Sequence, residues 1–319
     1  MNRKKCPSCQ SSLTKRNGTR NGVQLYKCYA CGRQFRAGEK MSDEQLWYLY
    51  QERKQTIAEL AQISGVSAST IKRRLHVLRI EWTQPDLHGM SGYVHLDTTY
   101  WGRSWGVLVA LDDVTKRALY IAYVSGETNE AYALAVCTIK NKGYEIKGLI
   151  LDGRKGLFLL FKDYKIQMCQ FHMKQIIIRY LTKNPRIKAS AALLILINEM
   201  PKLSKRKFEA AFLEWKEKYA DTIKKKSTSK VNGKIHYTHK RLRGAMRSIE
   251  FYLPYLFTYK QPECLCMPNT NNKIEGIFTD LKKNLNIHSG LSEDNRKRII
   301  NGFFLALEGN LHIDKNRGQ

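Results

Sequence analysis

From residue 91 onward the chain alternates between short apolar runs and amphipathic segments of helical period. Tyr93–Asp97 (YVHLD), Trp105–Asp113 (WGVLVALDD), Arg117–Gly126 (RALYIAYVSG), Ile146–Leu151 and Ile166–Cys169 are rich in β-branched and aromatic residues and are bounded by Gly, Asp or Tyr, which predicts strands. Asp112-Asp113 reads as a hairpin turn. Thr128–Lys142 has the spacing of an amphipathic helix, and Gly156–Tyr164 that of a shorter one. Further helices are predicted over Met173–Leu181, which Pro185 terminates, and over Lys188–Met200, Ser204–Lys224, Arg241–Tyr252 and Glu293–Glu308. The most apolar run, Ala191–Ile197, falls far short of the roughly 20 residues that span a bilayer and reads as a buried helix segment. Lys224–Lys240 is polar and basic and reads as a loop, either a solvated linker or a segment that orders on DNA. The final HIDKNRGQ reads as a frayed tail.

The first eighty residues follow other rules. Cys6-Pro-Ser-Cys9 and Cys28-Tyr-Ala-Cys31-Gly32 are two CxxC turns at ribbon spacing, and four thiolates close a tetrahedral Zn2+ site. The segment has few apolar residues, so the metal must supply most of its folding energy. Gly18, Gly22, Val23, Leu25 and Tyr26 suit strands between the knuckles, with Phe35 packed beneath. The basic side chains crowding this module serve either phosphates or a protein-docking surface. Ser42 with Gln45, and Thr56 with Glu59, are capping boxes. Gly65 ends the helix that Thr56 starts, with Leu60, Ala61 and Ile63 inward, and Ser67 starts a third with Ile71, Leu75 and Leu78 inward. Two helices on a Gly turn form a helix-turn-helix, which would present Ala68, Ser69, Thr70, Lys72, Arg73 and Arg74 to a DNA groove. Pro85, Gly89 and Gly92 mark a linker.

Charge narrows the partner. Fifty-five Lys and Arg against 28 Asp and Glu leave a formal charge of +27, which points to a polyanion and salt-sensitive binding. No apolar run follows the opening MNRKKCPSC, so a cytoplasmic location is expected, where disulfides are rare and the eight cysteines need another use. Three acids then stand out: Asp97 and Asp152 each end a predicted strand, and Glu275 opens a predicted helix in TNNKIEG. Three strands, a helix, a strand, a helix and a strand is the order of the ribonuclease-H-like fold, in which the first and fourth strands are neighbours. Asp97 and Asp152 would then meet, and a divalent cation would neutralise the pair. Magnesium suits oxygen ligands, and two ions can serve the attacking and leaving oxygens.

These motifs carry a resemblance. His95–Gly102 (HLDTTYWG), Leu151–Gly156 (LDGRKG), Cys169–Gln175 (CQFHMKQ) and Thr270–Gly276 (TNNKIEG) resemble, in order, the motifs of bacterial insertion-sequence transposases of the DDE type, in the branch related to Mutator-like elements. The resemblance covers nearly the whole chain. It implies a zinc ribbon over 1–40, a helix-turn-helix over 41–82, a ribonuclease-H-like α/β catalytic core over 91–172 and 267–310, and a mostly helical insertion over 173–266. It implies that Asp97, Asp152 and Glu275 hold two Mg2+ or Mn2+ ions, and that His172 braces the site or meets a scissile phosphate. The implied partners are double-stranded DNA, at terminal inverted repeats and at a target, and a second copy of the chain. The implied reaction cuts element ends and joins the freed 3′-hydroxyl to target DNA. A nuclease or junction-resolving enzyme on the same scaffold, and a DNA-binding regulator without catalysis, are the alternatives.

Two groups of residues fit more than one role. Cys169 and His172 could join Cys264 and Cys266 in a second zinc site, or be core residues. Trp215 could stack on DNA or belong to the core of the insertion. Lys273, Lys282, Lys283, Arg154 and Lys155 are candidates for phosphate contacts, and Thr270 or Asn271 for the cap of the helix that carries Glu275.

Overall fold

The computed structural model describes residues 4–6, 8–20, 23–36, 41–102, 104–228, 233–288 and 290–308. The tail expected at 312–319 and the middle of the 224–240 segment lie outside the described residues. The chain divides into two compact units, one holding Met1–Arg79 and the other Ile80–His312.

In the first unit β1 (Thr14–Arg20), β2 (Val23–Cys28) and β3 (Gln34–Arg36) form an antiparallel sheet in chain order. Tyr26 and Phe35 stack across it with ring centroids 5.8 Å apart, a small apolar contact for a sheet. The helices α1 (Asp43–Gln51), α2 (Ile57–Ser64) and α3 (Ala68–His76) start where their caps predict. Both capping boxes are made, and Gly65 takes the left-handed conformation that ends α2. Leu46, Trp47, Leu60, Ile71 and Leu75 fill the core between the helices. Two details depart from the sequence reading. Ile63 is 54% exposed, so Leu60 alone of its helix is fully inward. Arg74 is tied within the unit, donating to Asp43 Oδ1 at 2.7 Å and to the Met41 carbonyl at 2.7 Å, while Lys72 and Arg73 face solvent.

The second unit is built on a five-stranded mixed sheet. Its strands are β4 (Ser91–Trp101), β5 (Trp105–Asp112), β6 (Ala118–Val124), β7 (Glu145–Leu151) and β8 (Ile166–Met168), in the order β6-β5-β4-β7-β8. β4, β5 and β6 are antiparallel neighbours, whereas β7 lies parallel to both β4 and β8. The first and fourth strands of the unit are therefore adjacent, as the element order predicts. α4 (Asn129–Asn141) crosses between β6 and β7, and α5 (Lys155–Leu160) between β7 and β8. β4 does not stop at Asp97. It runs on because β5 pairs along its length to Trp101↔Trp105, whereas the β7 ladder ends at His95↔Ile150. Asp97 sits where one partner strand has left and the other continues.

Side-chain alternation divides the sheet into two faces. Val94, Leu96, Leu149 and Leu151 pack with Tyr132, Ala135, Val136 and Ile139 of α4. Tyr93 and Ile150 point the other way and pack with Cys264 and Met267. His95 and Asp97 share the parity of Tyr93, so they belong to this second face.

The remaining helices are α6 (Gln170–Leu181), α7 (Lys188–Glu199), α8 (Lys205–Lys218), α9 (Ala220–Lys224), α10 (Lys240–Tyr252), α11 (Asn272–Ile287) and α12 (Glu293–Leu307). The single long helix expected over 204–224 breaks at Tyr219, whose backbone leaves the helical region. The expected loop begins and ends as a small ribbon, β9 (Lys226–Thr228) paired with β10 (Ile235–Tyr237). Arg243 of α10 holds it, with its guanidinium 3.5 Å from the Tyr237 ring centre. Trp215 is core: its ring stacks on Phe212, and its Nε1 donates to the Ala189 carbonyl at 2.9 Å. Leu87, inside the expected linker, is fully buried in the same cluster as the sheet. Among the described residues no helix is long and apolar enough to cross a membrane.

Candidate active site and metal centres

The N-terminal cysteines come together as their spacing predicts. Each CxxC forms a tight turn, with Gln10 N donating to Cys6 O and Gly32 N to Cys28 O, both at 2.9 Å. The two turns face each other: Cys6 and Cys31 sulfurs are 3.6 Å apart, as are those of Cys9 and Cys28. All four cysteines are free, and their sulfurs lie within 4.8 Å of one another. Burial raises the Cys6 thiol, but the N–H groups of Cys9 and Ser8 outweigh it and bring it down to about 6. Four converging sulfurs with no disulfide fit a Zn2+ ion, and the cluster can bind one.

The second site gathers at one end of the sheet. Strands β4, β6, β7 and β8 run in one direction, so the residues that follow β6, β7 and β8 emerge together: Glu127, Asp152 and Cys169. Extending the His95↔Ile150 register by two positions brings Asp97 opposite Asp152 on the face that α11 covers. Glu275 lies in the first turn of α11. The Asp97 carboxyl is pushed well above the ordinary carboxylate range, first by burial and then by the negative charges of Asp152, Glu275 and Glu127, with the Thr98 N–H at 2.8 Å opposing. Glu127 is also raised, by burial and by Asp152, and Arg154 eases it from 3.8 Å. The cluster is thus a concentration of acid groups with little counter-charge. The three acids proposed from sequence do not form one tight group of ligand atoms; Glu275 is instead grouped closely with Cys169 and His172. His172 Nε2 stands 3.5 Å from Glu275 Oε1.

Glu127 was not singled out in the sequence. The signal was present: like Asp152, it stands just beyond the end of a strand that points to this edge. Arg154 does not face a free surface either. It reaches Glu127 and donates to Asn129 Oδ1 at 3.2 Å.

A buried polar chain docks α11 on the sheet. His95, with no exposed surface, meets Asn271 Oδ1 through Nδ1 at 2.6 Å and Asp113 Oδ1 through Nε2 at 2.9 Å. Lys273 closes on Asp113 at 2.7 Å. Burial raises the Asp113 carboxyl, but its bonds to His95 and Lys273 prevail and hold it below the usual value. Asn271 N donates to Cys169 Sγ at 3.2 Å, and Gln170 N to the Asn269 carbonyl at 2.9 Å. Asn271 therefore occupies the cap position of α11, but its side chain bonds His95 rather than the helix amides. Lys273, expected at phosphate, is exposed along its side chain but pairs with Asp113. Asp113, expected only as a turn residue, is buried. Through this chain the strand bearing Asp97 fixes the helix bearing Glu275. Replacing His95 with Ala strands two buried partners, and denaturant unfolding should show a loss of about 3 kcal/mol.

The open second zinc site is resolved differently. Cys264 packs in the apolar cluster with Tyr93, Ile150 and Met267, and Cys266 is exposed, so neither joins Cys169 and His172 among the described residues.

No protein-family profile matches the chain, and no curated protein matches it. Among solved structures, it is similar to a chain of the simian T-cell lymphotropic virus intasome in complex with the PP2A regulatory subunit B56 gamma. The identity is 13%, the match covers 51% of this chain and 69% of that one, and the TM-score is 0.20.

Proposed function

We propose that this protein is a DNA transposase of the DDE type, a polynucleotidyl transferase with a ribonuclease-H-like core, as the motif resemblance implies. The observation that carries the reading is the Asp97 carboxyl, half-buried beside Asp152, Glu275 and Glu127 at one end of the sheet and driven up first by desolvation and then by their charge. Asp97, Asp152 and Glu275 would hold divalent cations there, Mg2+ or Mn2+. When bound, these supply charge neutralisation for a phosphodiester and activation of an attacking hydroxyl or water. The chain's own residues prepare the place. The His95–Asn271 bond sets the Glu275 helix against the Asp97 strand, the Thr98 N–H orients the Asp97 carboxylate, and Arg154 lies beside Glu127 and Asp152. His172, next to Glu275, is positioned to meet a phosphate or to steady the carboxylate.

The remaining features support delivery of DNA to that site. The +27 charge favours a polyanion. α3 presents Lys72 and Arg73 outward from a three-helix core with a helix-turn-helix arrangement. Replacing Arg73 with Ala should weaken duplex binding and lower the slope of log K against log salt by about 1, measured by fluorescence anisotropy. Arg74, tied to Asp43, should affect folding instead. Joining two element ends to one target calls for at least two protomers on the DNA.

The decisive experiment uses a supercoiled plasmid carrying the DNA that flanks the gene. With Mg2+ or Mn2+, the protein should cut at the element boundary and join a labelled 3′ end to a second duplex. Cutting without joining would leave a nuclease. Binding without cation-dependent cutting would leave a regulator and end the enzymatic reading.

A further inference from the structure

A second set of ligands, chemically unlike the acids, lies beside them. Cys169 Sγ, one imidazole nitrogen of His172 and one carboxylate oxygen of Glu275 all fall within 4.8 Å of one another. Local structure brings them there. Cys169 caps α6, and His172 follows three residues later on the same side of the first turn. Glu275 arrives from the first turn of α11, which the Asn271 N–H to Cys169 Sγ bond holds close.

Two of the three groups, the imidazole and the carboxylate, each keep one polar atom that the protein alone does not satisfy. His172 Nδ1 and Glu275 Oε1 are both buried from water and have no hydrogen-bond partner. The 3.5 Å between His172 Nε2 and Glu275 Oε1 is too long for a good hydrogen bond. Polar atoms buried without a partner cost about 1–3 kcal/mol each, and the two residues that carry them stand with a buried thiol in a group whose ligand atoms are close enough to share one ion. Sulfur and imidazole together select a borderline-soft ion such as Zn2+, whereas Mg2+ takes oxygen ligands. Three protein ligands with an open fourth position is also the usual form of a zinc site that admits water or a substrate oxygen.

We propose that Cys169, His172 and Glu275 form a binding site for a thiophilic divalent cation, distinct from the N-terminal cysteine cluster. Binding exchanges the Cys169 S–H bond for a sulfur–metal bond, and the proton leaves to solvent. The site stands whatever the acids do. One consequence does rest on the transposase reading: Glu275 belongs to both ligand sets, so a zinc ion here competes with Mg2+ for that carboxylate and restrains cutting.

Zinc titration of the full chain against a chromogenic chelator tests the site. The wild type should hold about two equivalents of Zn2+, one in the ribbon and one here, and Cys169→Ser and His172→Gln about one each. His172 is half-buried, so its variant removes a ligand without opening the core, and matching circular dichroism and melting temperature would secure the comparison. A wild-type chain that takes a single equivalent, or a folded His172→Gln chain that keeps both, overturns the proposal. A chain that holds both equivalents yet never cuts DNA removes the transposase reading and leaves this site. A chain that cuts with Mg2+ but holds one zinc does the reverse.

Discussion

Replacing Asp97 with Asn should lower Mg2+-dependent cleavage by about 10³-fold or more and at the same time raise the melting temperature of the cation-free protein. The two effects share one cause. Asp97 is half-buried, partly desolvated and faced by the charges of Asp152, Glu275 and Glu127, so its carboxyl holds its proton more tightly in the folded chain than in the unfolded one. The linkage sign follows. With the folded value above the unfolded one, the stabilising contribution is complete below the ordinary carboxylate range and is lost as pH rises through the raised value. Ionisation of Asp97 in the folded chain therefore opposes folding as pH rises, and an amide of the same shape removes that cost. A divalent cation relieves it too. Mg2+ or Mn2+ should raise the wild-type melting temperature at pH 7 and do little for Asp97→Asn. Differential scanning fluorimetry across pH, with and without cation, measures both. A variant that melts below wild type without cation, or cuts as well as wild type, removes Asp97 from the proposed role. Asp152→Asn should lose cleavage to a similar extent while duplex binding persists, because α3, the helix proposed to meet DNA, lies in the other compact unit.

Removing zinc from the N-terminal cluster should unfold the β1–β3 sheet and leave the second unit folded. The ribbon has little else to hold it. Its described core is the Tyr26–Phe35 stack and the enclosed Cys6 and Cys28, against strands whose other side chains are mostly exposed. Structural zinc in small modules contributes on the order of 10 kcal/mol or more at neutral pH, far beyond what one aromatic pair supplies. A strong chelator, or Cys28→Ser, should collapse the amide dispersion of residues 14–36 in NMR spectra, while the main thermal transition of the Ile80–His312 unit stays within a few degrees. Retention of the ribbon signals after full chelation would show that the fold does not depend on metal there.

Local rules carried far along this chain. Capping residues at 42, 56 and 67, the Gly65 stop and the two CxxC turns were legible because each is decided by a few neighbouring residues. So were the five strands of the sheet and their alternation with helices. Departures came where a distant partner decides. β4 runs past Asp97 because β5 continues to pair with it. Lys273, a candidate phosphate ligand, and Arg74, a candidate for the DNA groove, turned into ion-pair partners because Asp113 and Asp43 meet them in space.

The candidate site shows the same division. Asp97, Asp152 and Glu275 could be picked out because each acid abuts the end or start of a regular element, a pattern visible in one dimension. Glu127 obeyed the same rule and still went unseen, since its relevance depends on which strands point the same way. Residue order alone settled the kinds of element, the cysteine framework, the strong positive charge and the acids available. Only the tertiary structure decided that Glu275 would stand nearer to Cys169 and His172 than a tight trio of acids allows, and that His95 would lock its helix in place. Hydrophobic period and capping act over a few residues, whereas pairing register and buried hydrogen bonds join residues that only the closed fold makes neighbours.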